Sequence, residues 1–566
     1  MTFANMKRIP FSLTALSLLV SVASCGTTPG TDSPASGGGP AGTGGTGGPA
    51  GTGGSGGTGG PAGTGGAGPT GTGGNGPTTG GAPGSGAASG NTGGQSGAGT
   101  GGDGGPGTGG APVVVTRPPL VVSGPGSYWV EGTPTAATGA ATVTVNDSPL
   151  RKWKGFGGTF NEAGWDAMKE LSADERDRAI RLLFSASEGA NFKWGRIPMG
   201  ASDYALTRYT LCDNCNADNV EANFSIAPDE ANLIPYIQAA QAVKSDILFW
   251  ASPWTPPAWM KTPQQIDGNP GNAEMNGTAA NLQALAMYQA RWVEEYEAKG
   301  IDIHHIQPQN EPGYASPYPS CLWDSGLLAT FVGDYLGPTF TDRAVPAEIW
   351  FGTLSNNQTY QGQIGTVFSG SANQYVKGVG LQWNTYPNIN SLRNSRPDLI
   401  IMQTEHRCGN YRFDVSDNPI QDPPPNTSPP PNDHTYALES WGWLLQWIGG
   451  GVNGYSAWNM VLDTQGNNLD ANPWGQNALL IVDRGTDTLI ETPTYYLFRH
   501  LSYFVDPEAD VLGTSGGSAL AFKNPDGSTV AVVYSANGGA TTVALGGQTL
   551  QADLPAKGFA TFYVEP

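Results

Sequence analysis

The chain has 566 residues, 84 of them glycine, and a formal charge of -20, with an isoelectric point near 4.5. So acidic a chain is a poor partner for nucleic acid or any other polyanion, and it suits an exported protein acting on neutral molecules. It holds only five His and five Cys, with no HExxH, paired CxxC or Gly-rich phosphate loop, so it implies neither a metal centre nor a cofactor.

Lys7 and Arg8 precede an apolar run, Ile9 to Ser24, that is too short and too punctuated to span a bilayer. The run ends Val22-Ala23-Ser24-Cys25, which resembles the lipobox of bacterial lipoproteins. That resemblance implies a signal peptide over 1–24, lipidation of Cys25, and attachment to a membrane of the cell envelope through one acylated terminus. The alternative is an ordinary secretory signal cut near Ser24; either one exports the protein. Residues 25–112 are mostly Gly, Thr, Pro, Ala and Ser, with PAGTGG recurring at Pro40, Pro49 and Pro61. The spacing is irregular, so this is not a collagen triplet. Such a stretch buries no core and is expected to be a disordered tether, about 50 Å from end to end if it behaves as a Gly-rich coil.

Folded sequence begins near Val113. Tyr128-Trp129-Val130 and Ala141 to Val145 read as short alternating strands separated by turns. Strands and helices then alternate. The strand candidates are Trp153–Phe160, Phe192–Pro198, Ile247–Trp254, Ile303–Asn310, Glu348–Leu354, Val379–Asn384, Leu399–Thr404 and Val452–Trp458. Among the helices, Ser172-Ala173-Asp174-Glu175 is a capping box before an amphipathic run to Phe184. Leu282 to Lys299 stops at Gly300, and Tyr436 to Ile448 runs into Gly449-Gly450-Gly451. Eight βα units in series predict an α/β fold, a (β/α)8 TIM barrel over 153–496. From 497 to 566 the pattern becomes short strands with Gly turns, a small β-sandwich that the N-terminal strands of 113–152 are expected to join.

Two strand ends deliver carboxylates. In Gln309-Asn310-Glu311-Pro312 the proline biases Glu311 away from the helical region, so the chain is expected to leave the strand extended. In Leu399 to His406 a second apolar strand ends at Glu405. The active site of such a barrel lies at the C-terminal strand ends. Two carboxylates there are the parts needed to cleave a glycosidic bond: one protonates the leaving oxygen and the other attacks or stabilises the anomeric carbon. Cys212 and Cys215 form a lone CxxC, a local disulfide or two free thiols. Cys321 and Cys408, each downstream of one glutamate, form a second possible pair in an oxidising compartment, or stay free.

Taken together, the motifs resemble glycoside hydrolase family 30, whose members are retaining enzymes. The likeness covers about residues 126 to 566. Gly155-Phe156-Gly157-Gly158 matches strand one, Arg196-Ile197-Pro198-Met199-Gly200 with Ser202-Asp203-Tyr204 strand two, and Ser252-Pro253-Trp254 with Pro257-Ala258-Trp259-Met260-Lys261 strand three. Asn310-Glu311-Pro312 matches the acid/base position, Thr404-Glu405 the nucleophile, and Trp458-Asn459-Met460 strand eight. The resemblance implies that Glu311 is the acid and then the base, and that Glu405 is the nucleophile. It places Arg196 against Glu405, and Asn310 on the sugar 2-hydroxyl. Asp203, Trp254, Trp383, Trp458 and Asn459 are the remaining substrate-binding residues it implies. The resemblance implies no metal. Strand six departs from the pattern: it reads Gln382-Trp383-Asn384 where a tyrosine usually stands beside the nucleophile, so that Tyr386 substitutes or the role is vacant. A Pro-rich insertion, Asp422 to Pro431, follows strand seven. The likeness is to glucosylceramidase-type members, with a carbohydrate or glycolipid substrate: a glucosylceramide-like glucoside or a β-1,6-glucan. The alternatives are a xylan- or galactan-cleaving enzyme of the same mechanism, or a non-catalytic carbohydrate-binding protein on a glycosidase barrel.

Overall fold

A computed structural model of the chain describes residues 116–268, 273–355, 357–411, 433–467, 469 and 475–566. The signal segment, Cys25, the Gly-rich stretch and the Pro-rich insertion Asp422 to Pro431 lie outside the described residues.

Eight parallel strands close into a barrel in chain order. They are Gly155–Thr159, Trp194–Met199, Leu248–Pro253, Ile303–Ile306, Glu348–Leu354, Val376–Leu381, Ile400–His406 and Gly454–Asn459. Nearly every strand residue is buried, because helices cover the outer face and side chains fill the inner one. Each strand falls on a candidate from the sequence. The largest difference is strand four, which stops at Ile306; from Gln307 the chain winds across the rim instead of running on to Asn310. Strand one is glycine-rich for steric reasons, since a Cβ on Gly157 would collide with the backbone carbonyl of Trp194 on strand two.

The barrel interior is layered. Trp194, Trp250, Trp350 and Met402 form its floor. His305 lies between two of these rings, 5.4 Å from Trp250 and 3.8 Å from Trp350. Arg196 is two residues above Trp194 on the same strand, with its guanidinium 5.1 Å from the Trp250 ring. The aromatic floor thus supports a cationic layer, and the C-terminal rim of the barrel is built on that.

The helices follow their local signals. Ser172 accepts from the Glu175 amide at 3.2 Å and opens Ala173–Phe184. Thr278 caps Ala279–Ala298, three residues earlier than the apolar periodicity suggested. Thr435–Gly450 ends where Gly451 turns left-handed at φ 124°.

The second layer is one ten-stranded sheet that mixes both ends of the chain. Leu120–Gly124 pairs with Gly558–Val564. Val143–Lys152 lies between Asp510–Gly516 and Gly539–Leu545. Apolar side chains including Val143, Val533 and Phe562 form its core. The helix Pro493–Ser502 runs through residue 497, so the sandwich strands begin only at Asp510 and not at the boundary drawn from composition. A three-stranded sheet, Val461–Asp463 with Leu480–Asp483 and Thr488–Glu491, had no counterpart in the sequence reading. Cys212 and Cys215 form a disulfide. Cys321 and Cys408 are free and buried, the second of the two alternatives their positions left open. The Cys321 thiol faces the Leu322 carbonyl at 3.5 Å, and Cys408 faces that of Asn459 at 3.8 Å, so each is committed to its own packing site.

Candidate active site

Strands two and seven meet through an ion pair. Arg196, fully buried, donates from Nη1 to Glu405 Oε2 at 2.6 Å. Its Nη2 donates to Ser252 Oγ at 3.0 Å and to Asn310 Oδ1 at 2.6 Å. One guanidinium therefore ties the ends of strands two, three, four and seven together. A buried arginine keeps its charge, and its rigid fork suits this bridging better than a lysine would. Trp254 and Trp458 stack on each other at 5.2 Å, with the Arg196 carbon 4.4 Å and 5.2 Å from their rings.

Glu311 sits on the facing rim. Pro312 does keep it out of the right-handed helical region, but the residue is left-handed, φ 46°, rather than extended as expected. Its amide donates to the Thr353 carbonyl at 2.9 Å and its own carbonyl accepts from the Tyr314 amide at 2.9 Å, so strand five and the following turn hold this costly conformation. The carboxylate accepts from Gln382 Nε2 at 3.1 Å and hydrogen-bonds Ser355. Trp383, also left-handed at φ 48°, and Gln382 both favour the ionised form of Glu405.

Burial and the nearby Glu405 charge push the Glu311 carboxyl up to about 7. Burial also raises Glu405, against the pull of Arg196. The direct 2.6 Å ion pair belongs to Glu405 alone, so Glu405 is the carboxylate that stays ionised and Glu311 holds the proton. Asp203 is raised well above the usual range by burial, with Glu405 and Glu311 adding to it. A neutral acid, a carboxylate and a hydrogen-bonded arginine thus share one dry rim.

The structure brings Arg196, Asp203, Trp254, Asn310, Glu311, Trp383, Glu405 and Trp458 to this rim. Trp254 and Trp458 are 1 % and 2 % exposed, so their faces pack on each other and on Arg196 and leave almost nothing for a sugar. Trp383 is half-buried and presents surface. Asn459, expected as a binding residue, is committed elsewhere: Oδ1 accepts from Asn161 Nδ2 at 2.8 Å and Nδ2 donates to Gln476 Oε1 at 3.0 Å. Tyr386 packs against Trp447, so it does not replace the strand-six tyrosine; Trp383 and Gln382 favour the ionised form of Glu405 instead. Thr353 and Ser355 went unnoticed in the sequence, and Gln382 was noted only as part of the strand-six departure. Nothing marks an isolated Thr, Ser or Gln as facing a cleft until the strand register is known. Among the described residues no three His, Cys, Asp or Glu side chains converge to hold a metal ion.

The family model for the glycosyl hydrolase family 30 TIM-barrel domain matches residues 153–505, and that for the family 30 β-sandwich domain matches residues 510–562. The chain is similar to an endo-1,6-β-D-glucanase of Aspergillus fumigatus, 26% identical over 440 residues, 72% of this chain and 84% of the relative. It is similar to the lysosomal acid glucosylceramidase of Mus musculus, 25% identical over 428 residues, 70% and 77% of the two chains. Among solved structures it is similar to SrfJ of Salmonella typhimurium, with a TM-score of 0.69, 25% identity, and coverage of 79% of this chain and 99% of the other. The barrel match alone spans more than half of the chain and is continued by the sandwich match; this protein belongs to glycosyl hydrolase family 30 and is a glycoside hydrolase.

Proposed function

We propose that the enzyme hydrolyses β-glucosidic bonds with retention, with Glu311 as acid/base and Glu405 as nucleophile. The observation that carries this is the asymmetry of the two buried carboxyls: Glu405 is ion-paired to Arg196, while Glu311 is raised to about 7 with no cation on it. In the first step a Glu405 oxygen attacks the anomeric carbon, the glycosidic C–O bond breaks, and the Glu311 proton goes to the departing oxygen. The product is a glycosyl ester on Glu405. Its formation removes the negative charge beside Glu311, which is now a carboxylate and a competent base. Water then gives its proton to Glu311 and bonds to the anomeric carbon, and the ester electron pair returns to Glu405. Asn310 holds its Oδ1 on Arg196 and Thr353, so its Nδ2 is the atom left to donate to a sugar hydroxyl. The relatives named as an endo-1,6-β-D-glucanase and a glucosylceramidase favour a glucan or a glucolipid as substrate.

The test is hydrolysis of β-1,6-glucan, β-1,3-glucan, xylan, galactan and glucosylceramide, with the first product read by NMR. The expected result is turnover of a glucoside with the β anomer first, and labelling of Glu405 by an activated 2-deoxy-2-fluoro-β-glucoside. An α anomer as first product would overturn the assignment of Glu405, because a single displacement inverts. Turnover of xylan or galactan alone would overturn the substrate class.

A further inference from the structure

Strand seven breaks its own alternation where it delivers Glu405. Met402 belongs to the interior floor with Trp194, Trp250 and Trp350. Successive strand residues face opposite sides, so an unbroken strand would turn His406 inward with Met402, and Glu405 outward. The reverse is found. Glu405 meets Arg196 inside the barrel at 2.6 Å, and His406 meets Ser440 of the covering helix Thr435–Gly450. The pairing with strand eight gives the cause. Gln403 lies opposite Tyr455 and His406 opposite Ala457, with a shift of register between them. Strand seven thus advances one residue further than strand eight over this span, and a bulge of this kind re-aims a side chain.

An extra residue is held less firmly by the ladder, so the direction of Glu405 depends on how the two ends of the bulge are fixed. At its start, Gln403 Oε1 accepts from the Ser456 amide at 3.2 Å. At its end stands His406, which is buried and has no part in the reaction derived above. Its Nδ1 is 2.7 Å from Tyr455 Oη and its Nε2 is 3.1 Å from Ser440 Oγ. Each hydroxyl can donate or accept, so both bonds form with either tautomer of the ring. Phe498, from the helix Pro493–Ser502, packs on the imidazole at 5.6 Å. Arg407 repeats the attachment one residue on: its Nη2 donates at 2.6 Å to Glu439 Oε1, on the helix residue before Ser440.

We infer that His406 is a positioning residue: its imidazole, clamped between strand eight and the helix after strand seven, holds the bulge that turns Glu405 into the cleft. The inference rests on the nucleophile role proposed above for Glu405. Tyr455 is the pivot, because its backbone is in register with the residue before the bulge and its hydroxyl holds the residue after it.

The experiment is the rate at which a dinitrophenyl 2-deoxy-2-fluoro-β-glucoside labels the enzyme, followed by mass spectrometry at rising reagent concentration. This leaving group needs no proton, so the rate constant at saturation reads attack by Glu405 apart from Glu311, and the half-saturating concentration reads binding. His406→Phe keeps a ring and removes both hydrogen bonds. Its labelling rate constant is expected to fall about 10²-fold, the cost of a reacting atom misplaced by about 1 Å, with the half-saturating concentration within about twofold of wild type. A histidine that only stabilises the fold would lower the melting midpoint and leave the rate constant of the folded enzyme unchanged. That outcome overturns the inference, and so does a fall matched by an equal rise in the half-saturating concentration. If His406→Phe does not fold, Tyr455→Phe and Ser440→Ala decide: each is expected to slow labelling, and wild-type rate constants in both refute the clamp. If it does fold, adding either substitution to it should slow labelling no further, because the bond is already gone; additive losses count against the clamp. The site of the label separates the two levels. A label away from Glu405 in the wild type breaks the proposed roles themselves, while a label on Glu405 at an unchanged rate in His406→Phe breaks only the role of His406.

Discussion

At the level of single residues, the proposed acid, Glu311, and the proposed nucleophile, Glu405, differ in that only Glu405 is ion-paired to Arg196, and that difference predicts unequal behaviour on mutation. Glu311→Ala is expected to lose about 10²–10⁴-fold in turnover of unactivated glucosides, the usual worth of a general acid. With a dinitrophenyl leaving group the first step needs no proton, so the glycosyl-enzyme still forms and waits on a missing base. Azide, which attacks without a base, should then restore turnover and yield the β-glycosyl azide. Glu405→Ala should gain nothing from the activated leaving group. An azide product of α configuration from Glu311→Ala would exchange the two roles. The pair itself was visible in the sequence because a glutamate followed by proline and a glutamate ending an apolar run are both strand-end signals. What surrounds it was not. Asn459 looked like a ligand because it stands in a rim motif, yet its Oδ1 accepts from Asn161 and its Nδ2 donates to Gln476. Gln382 looked like a misplaced residue, yet its Nε2 donates to Glu311 at 3.1 Å. Which amide is free and which is engaged depends on partners 17 to 298 residues away, and no local pattern encodes that.

Among the elements, the eight barrel strands were legible because strands buried on both faces appear as short apolar runs, whichever helix follows them. Their C-terminal ends were less so. The rim replaces regular pairing with single backbone bonds, such as Asn310 N to Pro253 O at 2.7 Å, and polar residues there carry no periodicity. The helix Pro493–Ser502 was split by the proposed boundary for a similar reason: it belongs to the barrel by sequence and faces the sandwich by contact. His500 joins the two. Thr561 donates to the His500 carbonyl at 2.9 Å, so His500 Nδ1–H donates to Thr561 Oγ1 at 2.7 Å while Nε2 accepts from Ser123 Oγ at 2.8 Å. Burial and Arg499 lower the imidazole to about 3. The unfolded chain therefore takes up a proton at this site below about pH 6.5 and the folded chain does not until about pH 3, so this group costs stability as pH falls through that window. His500→Gln should be destabilised by about 1–3 kcal/mol at pH 8, where lost hydrogen bonds are the whole effect. The deficit should shrink by up to about 1.4 kcal/mol per pH unit below pH 6, because the variant has no proton to refuse. Urea unfolding of both proteins at pH 8, 6 and 5 measures this; a deficit that stays constant with pH would mean that the folded imidazole is protonated.

For the molecule as a whole, the two layers are one folding unit. Val143–Lys152 precedes the barrel in sequence but has its sheet partners after it, in Asp510–Gly516 and Gly539–Leu545. Trp153 lies at the junction, 4.7 Å from Phe156 of the barrel and 5.7 Å from Phe522 of the sandwich. Trp441, on a barrel helix, donates to Ser518 Oγ at 2.9 Å and packs on Phe559. Cutting the chain after Asp506 would leave strand Val143–Lys152 without a partner and expose the apolar faces of Trp153 and Trp441 to water. Unpaired strand edges and large apolar patches of this kind lead to aggregation. The truncated chain is expected to accumulate as insoluble protein with no cooperative melting transition. Deleting residues 1–112 is expected to leave the melting midpoint of the soluble enzyme within about 2 °C, since the apolar run 9–24 is expected to be a signal segment and the Gly-rich stretch after it has few apolar side chains to bury. Calorimetry of the two shortened chains beside the full one tests both halves of the argument. A soluble, cooperatively melting product of the cut after Asp506 would show that the barrel is stable alone and that the sandwich is an appendage, and a large drop in midpoint on removing 1–112 would show that the tether packs on the folded part.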